Sequence, residues 1–486
     1  MNIKALRALW VANLILLSGT ALAQSDASTN QLTVDREIER PLVTALQRLQ
    51  ASLSIPTVSD TIETAETQAA FFAHRTLLLK AYPKTFATLK QHDVGPFSIL
   101  LEWPGSEPNL KGTILMAHQD VVPVDASNTW EHPAFSATEA DGYVWGRGAL
   151  DNKSGVIGIL EAVETLVNEG FSPKRTLWLV FGHDEETDGS QGASKIASYM
   201  KESGVQIETV LDEGLFVSNG LFPGLNQPLA LVGVAEKGYL TVDLNFKGEG
   251  GHSSVPPLNS SIARMGEFAH RLEQKKIPPV MTPPMRALIE TLAPLMPQPQ
   301  KFVMQNTGFF ESMLLHQLSQ SKTAAPLVSS TIAMTMAQSG VKDNVVPESA
   351  TLTVNARILP GQTEEDVLRH LEMNAMGFDV EISPREATFS TLPSAISCFS
   401  CSHFKTIESV INDVFPTAVV GPGLVTGGTD SRHFKDLTEN IYRFLPIVVG
   451  PNDIEGFHGK NEKLSIENFN RMISFYQKLI QAWDKS

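Results

Sequence analysis

The chain reads as an α/β fold, a central mixed sheet flanked by helices, with a smaller α+β lid domain inserted into it. Three observations carry that reading. Compact apolar runs at Gly112 to Ala117, Thr176 to Gly182 and Thr209 to Leu211 have the length and continuity of strands buried on both faces. Helical spacing fills the stretches between them, as in Val156, Ile159, Leu160, Val163, Leu166 and Val167. After about Ala235 the texture changes: Leu240, Val242, Leu244 and Phe246 alternate with Thr241, Asp243, Asn245 and Lys247, the pattern of a half-exposed strand.

A length of 486 residues exceeds one ordinary domain. The reading divides it into a leader over 1–23, a first domain over 24–235, the inserted lid over 236–360, and the return of the first domain over 361–486. The leader has basic Lys4 and Arg7, an apolar run from Ala8 to Leu17 and the small-residue end Ala21-Leu22-Ala23, which fits a secretory signal peptide. Its apolar core is too short to span a bilayer, so the mature protein is expected to be exported, without a stable membrane span. A net charge of -15 with no basic tract argues against nucleic acid as a partner. The two cysteines, Cys398 and Cys401, are expected to form a local disulfide in an exported chain, and without a second pair they exclude an all-cysteine zinc site.

In order along the chain, Arg36 to Leu53 and Thr64 to Tyr82 read as helices, the second stopped by Pro83, and Phe97 to Glu102 as a strand. The turn-rich stretch Asp141 to Gly148 leads to Asp151, at the N-terminus of a helix that Gly170 closes. Another helix runs to Met200. Beyond the half-exposed strand come Gly250 to Ser254, a helix near Ile262 to Leu272 and a long insertion from Ile277 to Val328. Its Phe302, Phe309, Phe310, Leu314 and Leu315 read as core or cover. Strands near Thr331 to Ala337 and Thr351 to Ile358 follow, then a helix capped by Thr363 with which the first domain is expected to resume. The last third holds Gly427 to Arg432, a strand over Ile441 to Val449, His458, and a helix capped by Ser465.

Chemistry concentrates at the strand ends. His118 and Asp120 stand two residues apart after an apolar run and therefore point to one side, although H-x-D alone also describes an ordinary strand end with a capping Asp. Asp151, Glu185, Glu186, Asp212, Glu213 and His458 also follow apolar or turn segments, and two histidines with several carboxylates suit a metal site of N and O ligands. Suppose two zinc ions share Asp151, with His118 and Asp212 completing one set and Glu186 and His458 the other. Three carboxylates then leave a single net positive charge, a condition for holding a nucleophile at neutral pH. Adjacent Glu185 and Glu186 diverge and cannot easily ligate the same ion, which frees one of them to act as a general base.

These stretches carry a resemblance. Ala117-His118-Gln119-Asp120-Val121-Val122-Pro123-Val124, Trp145 to Lys153, His183-Asp184-Glu185-Glu186, Leu211-Asp212-Glu213-Gly214, Gly251-His252-Ser253-Ser254 and His458-Gly459-Lys460-Asn461-Glu462 together resemble the M20 family of metallopeptidases. The nearest likeness is to its carboxypeptidase S and N-acyl-amino-acid hydrolase branch, and it covers nearly everything after the leader. The resemblance implies two Zn2+ per chain, with His118, Asp151, Glu186, Asp212 and His458 as ligands and Glu213 the alternative to its neighbour Asp212. It makes Asp120 the residue that orients the site and Glu185 the base. It further implies that His252 hydrogen-bonds the oxyanion, that Arg357 takes the substrate's free carboxylate by a forked contact, and that Asn344 assists. The expected activity is cleavage of the amide bond beside a C-terminal amino acid in a dipeptide or short peptide. N-acyl-amino-acid hydrolysis or synthesis is the alternative, and a zinc-dependent binding protein without turnover is the rival outside enzymes. A homodimer formed through the inserted domain is left open.

Overall fold

The computed structural model describes residues 44–485, apart from 126, 128, 223, 387 and 388. The leader, the polar lead and the start of the first helix fall outside the described residues. Among those described, no helix is long and apolar enough to cross a membrane.

The strands are β1 (Lys90–His92), β2 (Ile99–Trp103), β3 (Gly112–His118), β4 (Thr138–Ala140), β5 (Tyr143–Trp145), β6 (Leu177–Gly182), β7 (Ile207–Ser218) and β8 (Leu229–Glu236). Then come β9 (Gly238–Lys247), β10 (Gly251–His252), β11 (Thr331–Ser339), β12 (Val345–Val346), β13 (Ser349–Ile358) and β14 (Val380–Pro384). The chain closes with β15 (Val419–Val425), β16 (Ile441–Val449) and β17 (Lys463–Ser465).

Eight of these strands form the large sheet in the order β1-β2-β6-β3-β7-β16-β8-β15. It is mixed, as expected: β6, β3, β7 and β16 run parallel, while β2 is antiparallel to β6 and β8 to β16. Every residue of β3 is buried, because both faces are covered. Leu115 and Ala117 enter the core under helices Lys153–Asn168 and Ile466–Trp483, whereas Ile114 and Met116 enter the opposite core under helix Ala193–Glu202. That alternation follows from the period of two. Burying each such Leu or Ile is worth about 1.5–3 kcal/mol, and truncation to Ala would cost about 2–5. The strands β6, β3, β7 and β16 present their C-terminal ends to one edge, where open α/β sheets bind ligands.

The second sheet, β11-β13-β9-β14, is antiparallel and half covered. Leu240, Val242, Leu244 and Phe246 face a core with Phe268 and Leu272, and Asn355 and Arg357 stand on the other face of β13. Two boundaries differ from the sequence reading. Helix Glu364–Ala375, capped by Thr363 as expected, packs Val367 and Leu371 into this second core, and β14 pairs with β9. The return to the large sheet therefore comes only near Ser397, whose N–H bonds the Val234 carbonyl at 2.8 Å. Conversely, helix Pro283–Leu292 of the long insertion lies against the large sheet's edge, with Leu288 and Leu292 beside Leu225 and Leu229. Periodicity identifies a helix's apolar face but not the sheet that receives it.

Smaller corrections have equally local causes. Pro83 ends one helix and occupies the first position of another, Pro83–Thr88, where its missing N–H costs nothing. Cys398 and Cys401 are free thiols rather than the expected disulfide. The Cys401 thiol points to the Cys398 carbonyl at 3.3 Å, and the same carbonyl accepts the Tyr442 hydroxyl at 2.7 Å.

Candidate active site

His118 ends β3, the His183-to-Glu186 segment follows β6, and Glu213 lies within β7, so three neighbouring strands deliver side chains to one place. Asp151 arrives from the turn before helix Lys153–Asn168, which Asn152 caps through Gly155 N–H at 3.1 Å. His458 comes from the loop after β16 and takes a positive φ of 54°.

The atoms converge in two triplets that share Asp151. In the first, His118 Nε2 lies 2.9 Å from Asp151 Oδ1 and 3.2 Å from Glu213 Oε1. In the second, His458 Nε2 lies 3.0 Å from Asp151 Oδ2 and 3.1 Å from Glu186 Oε2. Each imidazole nitrogen thus faces two carboxylates, though one N–H can serve only one acceptor well. Glu186 Oε1 is buried with no hydrogen-bond partner. Such an orphaned oxygen beside imidazole and carboxylate donors fits a divalent ion with N and O ligands.

The electrostatics agree. Burial works against charge on His118, but Glu213, Asp120 and Asp151 outweigh it and hold its pKa well above the ordinary value. Bonds to Asp151 and Glu186 push His458 up to about 10. Burial pushes Glu213 up to about 8, with His118 opposing and Asp151 reinforcing. The carboxylates therefore demand positive charge that two imidazoles supply only by taking protons.

Asp120 is fully buried and organises its neighbours. Its two carboxylate oxygens accept the backbone N–H groups of Glu185 at 3.2 Å and Glu186 at 3.1 Å, and its Oδ1 lies 3.3 Å from His118 Nδ1. The sequence reading of Asp120 as the orienting residue thus acquires a geometry. Burial raises the Glu185 carboxyl well above its ordinary range, with Glu213, Asp430 and Glu186 adding to the shift and His118 opposing it.

The structure separates the two adjacent acids that the sequence left as alternatives. Asp212 is not in either triplet; its place beside His118 and Asp151 is taken by Glu213. Asp212 instead accepts Glu213 N–H at 2.9 Å and Ser431 N–H at 2.8 Å. The expected strand end at Leu211 is also wrong, since β7 runs on to Ser218 through a register shift opposite Arg443 and Phe444. Gly214 sits there at φ +141°, and a Cβ would meet the Arg443 Cβ at 2.8 Å, so the bulge requires glycine. Period two places the adjacent acids on opposite faces, and only pairing decides which face looks at His118.

A cavity of about 1000 Å³ opens beside the cluster and is lined by Glu185, Glu186, His458, Lys237, Tyr239 and Arg357. The Arg357 guanidinium lies over the Tyr239 ring, 4.5 Å from its centroid, and has no hydrogen-bond or ion-pair partner among the described residues. His252 and Asn344 do not line this cavity. Arg357 pairs with Tyr239 at the start of β9, whereas His252 lies beyond Lys247 at its other end. Eight residue rises of β9 lie between Tyr239 and Lys247, about 27 Å at the usual rise. His252 is exposed, with its Nδ1 facing Ser254 Oγ at 2.8 Å.

Known proteins resemble this chain along most of its length. It is 38% identical to the N-fatty-acyl-amino acid synthase/hydrolase PM20D1 of Xenopus tropicalis, over 96% of this chain and 90% of that protein. It is 34% identical to a Dictyostelium discoideum protein described as "Probable carboxypeptidase S-like 2", over 90% of this chain and 85% of that one. Among solved structures, the M20 family metallo-carboxypeptidase Sso-CP2 from Sulfolobus solfataricus superposes with a TM-score of 0.66 at 18% identity, covering 91% of this chain and 99% of the other. Human carnosine dipeptidase 1 follows at 0.60 and 17%, covering 93% and 98%. The sequence profile of peptidase family M20/M25/M40 matches residues 114–482, and the chain, a metallohydrolase by fold and descent, belongs to that family.

Proposed function

We propose that the two triplets hold two zinc ions, His118, Asp151 and Glu213 around one and Asp151, Glu186 and His458 around the other. When bound, such ions acidify water and polarise a carbonyl. The chain's own residues do the rest. The Glu185 carboxylate takes the proton of the attacking water and returns it to the nitrogen of the leaving amine, so the base ends the cycle as it began. Asp120 fixes the Glu185 backbone and the His118 ring for that transfer.

The reaction we assign is hydrolysis of the amide bond beside a C-terminal amino acid with a free carboxylate. The observation that carries it is Arg357, a guanidinium without an acidic partner among the described residues, lining the cavity that holds Glu185. A planar fork of donors pairs with a carboxylate through two parallel bonds. On the acyl side, a second reading is favoured by relatives at 35–39% identity described as N-fatty-acyl-amino acid synthase/hydrolases, which supports a fatty acyl group in place of a peptide. Synthesis would be the same reaction reversed. The leader supports export after cleavage near Ala23.

The test is a panel of dipeptides, N-acyl amino acids and their C-terminal amides, assayed before and after chelation and after return of zinc. Chelator-sensitive cleavage confined to free carboxylates is expected. Equal cleavage of acid and amide would rule out carboxylate recognition.

A further inference from the structure

Glu462 is fully buried, four residues beyond His458, and takes no part in either triplet. Its Oε2 accepts Arg147 Nη1 at 2.7 Å and Gly148 N–H at 3.1 Å, while its Oε1 accepts Leu150 N–H at 2.7 Å and Asp151 N–H at 3.1 Å. The backbone that carries Asp151 is thus wrapped around a carboxylate from the opposite end of the chain, and Gly148 takes φ +88° to turn its N–H inward. The two segments are also zipped together: β17 pairs with β5, and Gly146 N–H bonds the Glu462 carbonyl at 2.9 Å. Arg147, already paired with Glu462, donates from Nη2 to the His458 carbonyl at 3.3 Å.

We propose that Glu462, with Arg147, is a positioning residue that sets Asp151 against His458 and so governs the affinity of the Asp151–Glu186–His458 triplet for its ion. His118 and Glu213 ride on paired strands of the large sheet, but His458 is half exposed on a loop at positive φ. Its placement relative to Asp151 depends on the Glu462 cradle. Replacing one carboxylate oxygen in a nest of four donors loosens that relationship without altering any ligand side chain. Outer partners of metal ligands commonly change affinity by about 10- to 100-fold.

The inference rests on the two-ion reading, and the experiment separates the two. Zinc is titrated against a chromophoric chelator into the metal-free full-length chain, wild type and Glu462→Gln, with thermal melts run alongside. The wild type is expected to bind two ions, and the variant to keep one affinity unchanged while binding the other ion about 10- to 100-fold more weakly. Arg147→Lys, which keeps the charge beside Glu462 but loses the reach to His458, should shift the same affinity in the same direction and serves where Glu462→Gln does not fold. A variant that melts earlier with both affinities unchanged, or with both weakened equally, overturns the positioning role. A wild-type chain that binds fewer than two ions overturns the metal reading itself.

Discussion

Asp212 and Glu213 are adjacent, yet Glu213 Oε1 lies 3.2 Å from His118 Nε2 while Asp212 Oδ2 takes the Ser431 N–H at 2.8 Å. One acid faces the cluster and the other anchors the segment after β15. Substitution should separate the roles. Glu213→Ala should lose one metal equivalent and activity with it. Asp212→Asn should keep both ions but lose about 1–3 kcal/mol of stability, because a buried N–H is left with a poorer acceptor. Metal analysis and urea unfolding of both variants check this, and the reverse pattern would restore Asp212 as the ligand.

Glu185→Gln should lower kcat by about 100- to 10,000-fold, since it removes the group that moves the proton. Bound metal should stay unchanged, because Glu185 is in neither triplet. Loss of zinc here, with normal zinc in Glu186→Gln, would mean that the two adjacent acids have exchanged roles.

Arg357→Lys keeps the charge but not the fork. A charge-assisted hydrogen bond is worth about 1.5–3 kcal/mol, so kcat/KM should fall about 10-fold or more on substrates with a free carboxylate. The loss should be much smaller on their amides, which never used the fork. Steady-state kinetics on matched acid and amide pairs measure the difference.

His74 provides a pH dependence outside the two triplets. It is fully buried between Ser52 Oγ at 2.8 Å and Gln119 Oε1 at 3.3 Å. Burial, with the Lys153 charge adding to it, holds its pKa down at about 3, against the opposing bond from Gln119. Above about pH 6.5 folded and unfolded chains both carry it neutral, and its contribution to stability is complete. As pH falls from there toward 3, the unfolded chain takes up a proton that the fold refuses. The loss reaches about 2 kcal/mol at pH 5. His74→Gln should remove that part of the acid sensitivity, read as a smaller change in unfolding free energy between pH 7 and pH 5 than in the wild type.

From sequence alone, the elements were legible wherever one period dominated: β3 with its largely apolar run, the helix after Asp151, and the strand over Ile441 to Val449 all follow from local side-chain direction and burial. The residue types of the site were legible too, since two histidines with several carboxylates at strand ends suit a metal site of N and O ligands, whereas the hydrolytic reading came from the family resemblance. What depended on the tertiary structure was every choice between near-equivalents. Asp212 or Glu213 turned on a bulge in β7 opposite Arg443; the sheet that receives helix Glu364–Ala375 turned on the apolar surface left uncovered by β9 and β13; and the separation of His252 from Arg357 turned on the length of β9. Those are long-range pairings. Local periodicity fixes which side of an element is apolar, but register and docking are set by residues hundreds of positions away, as Glu462 is from the Asp151 backbone it holds.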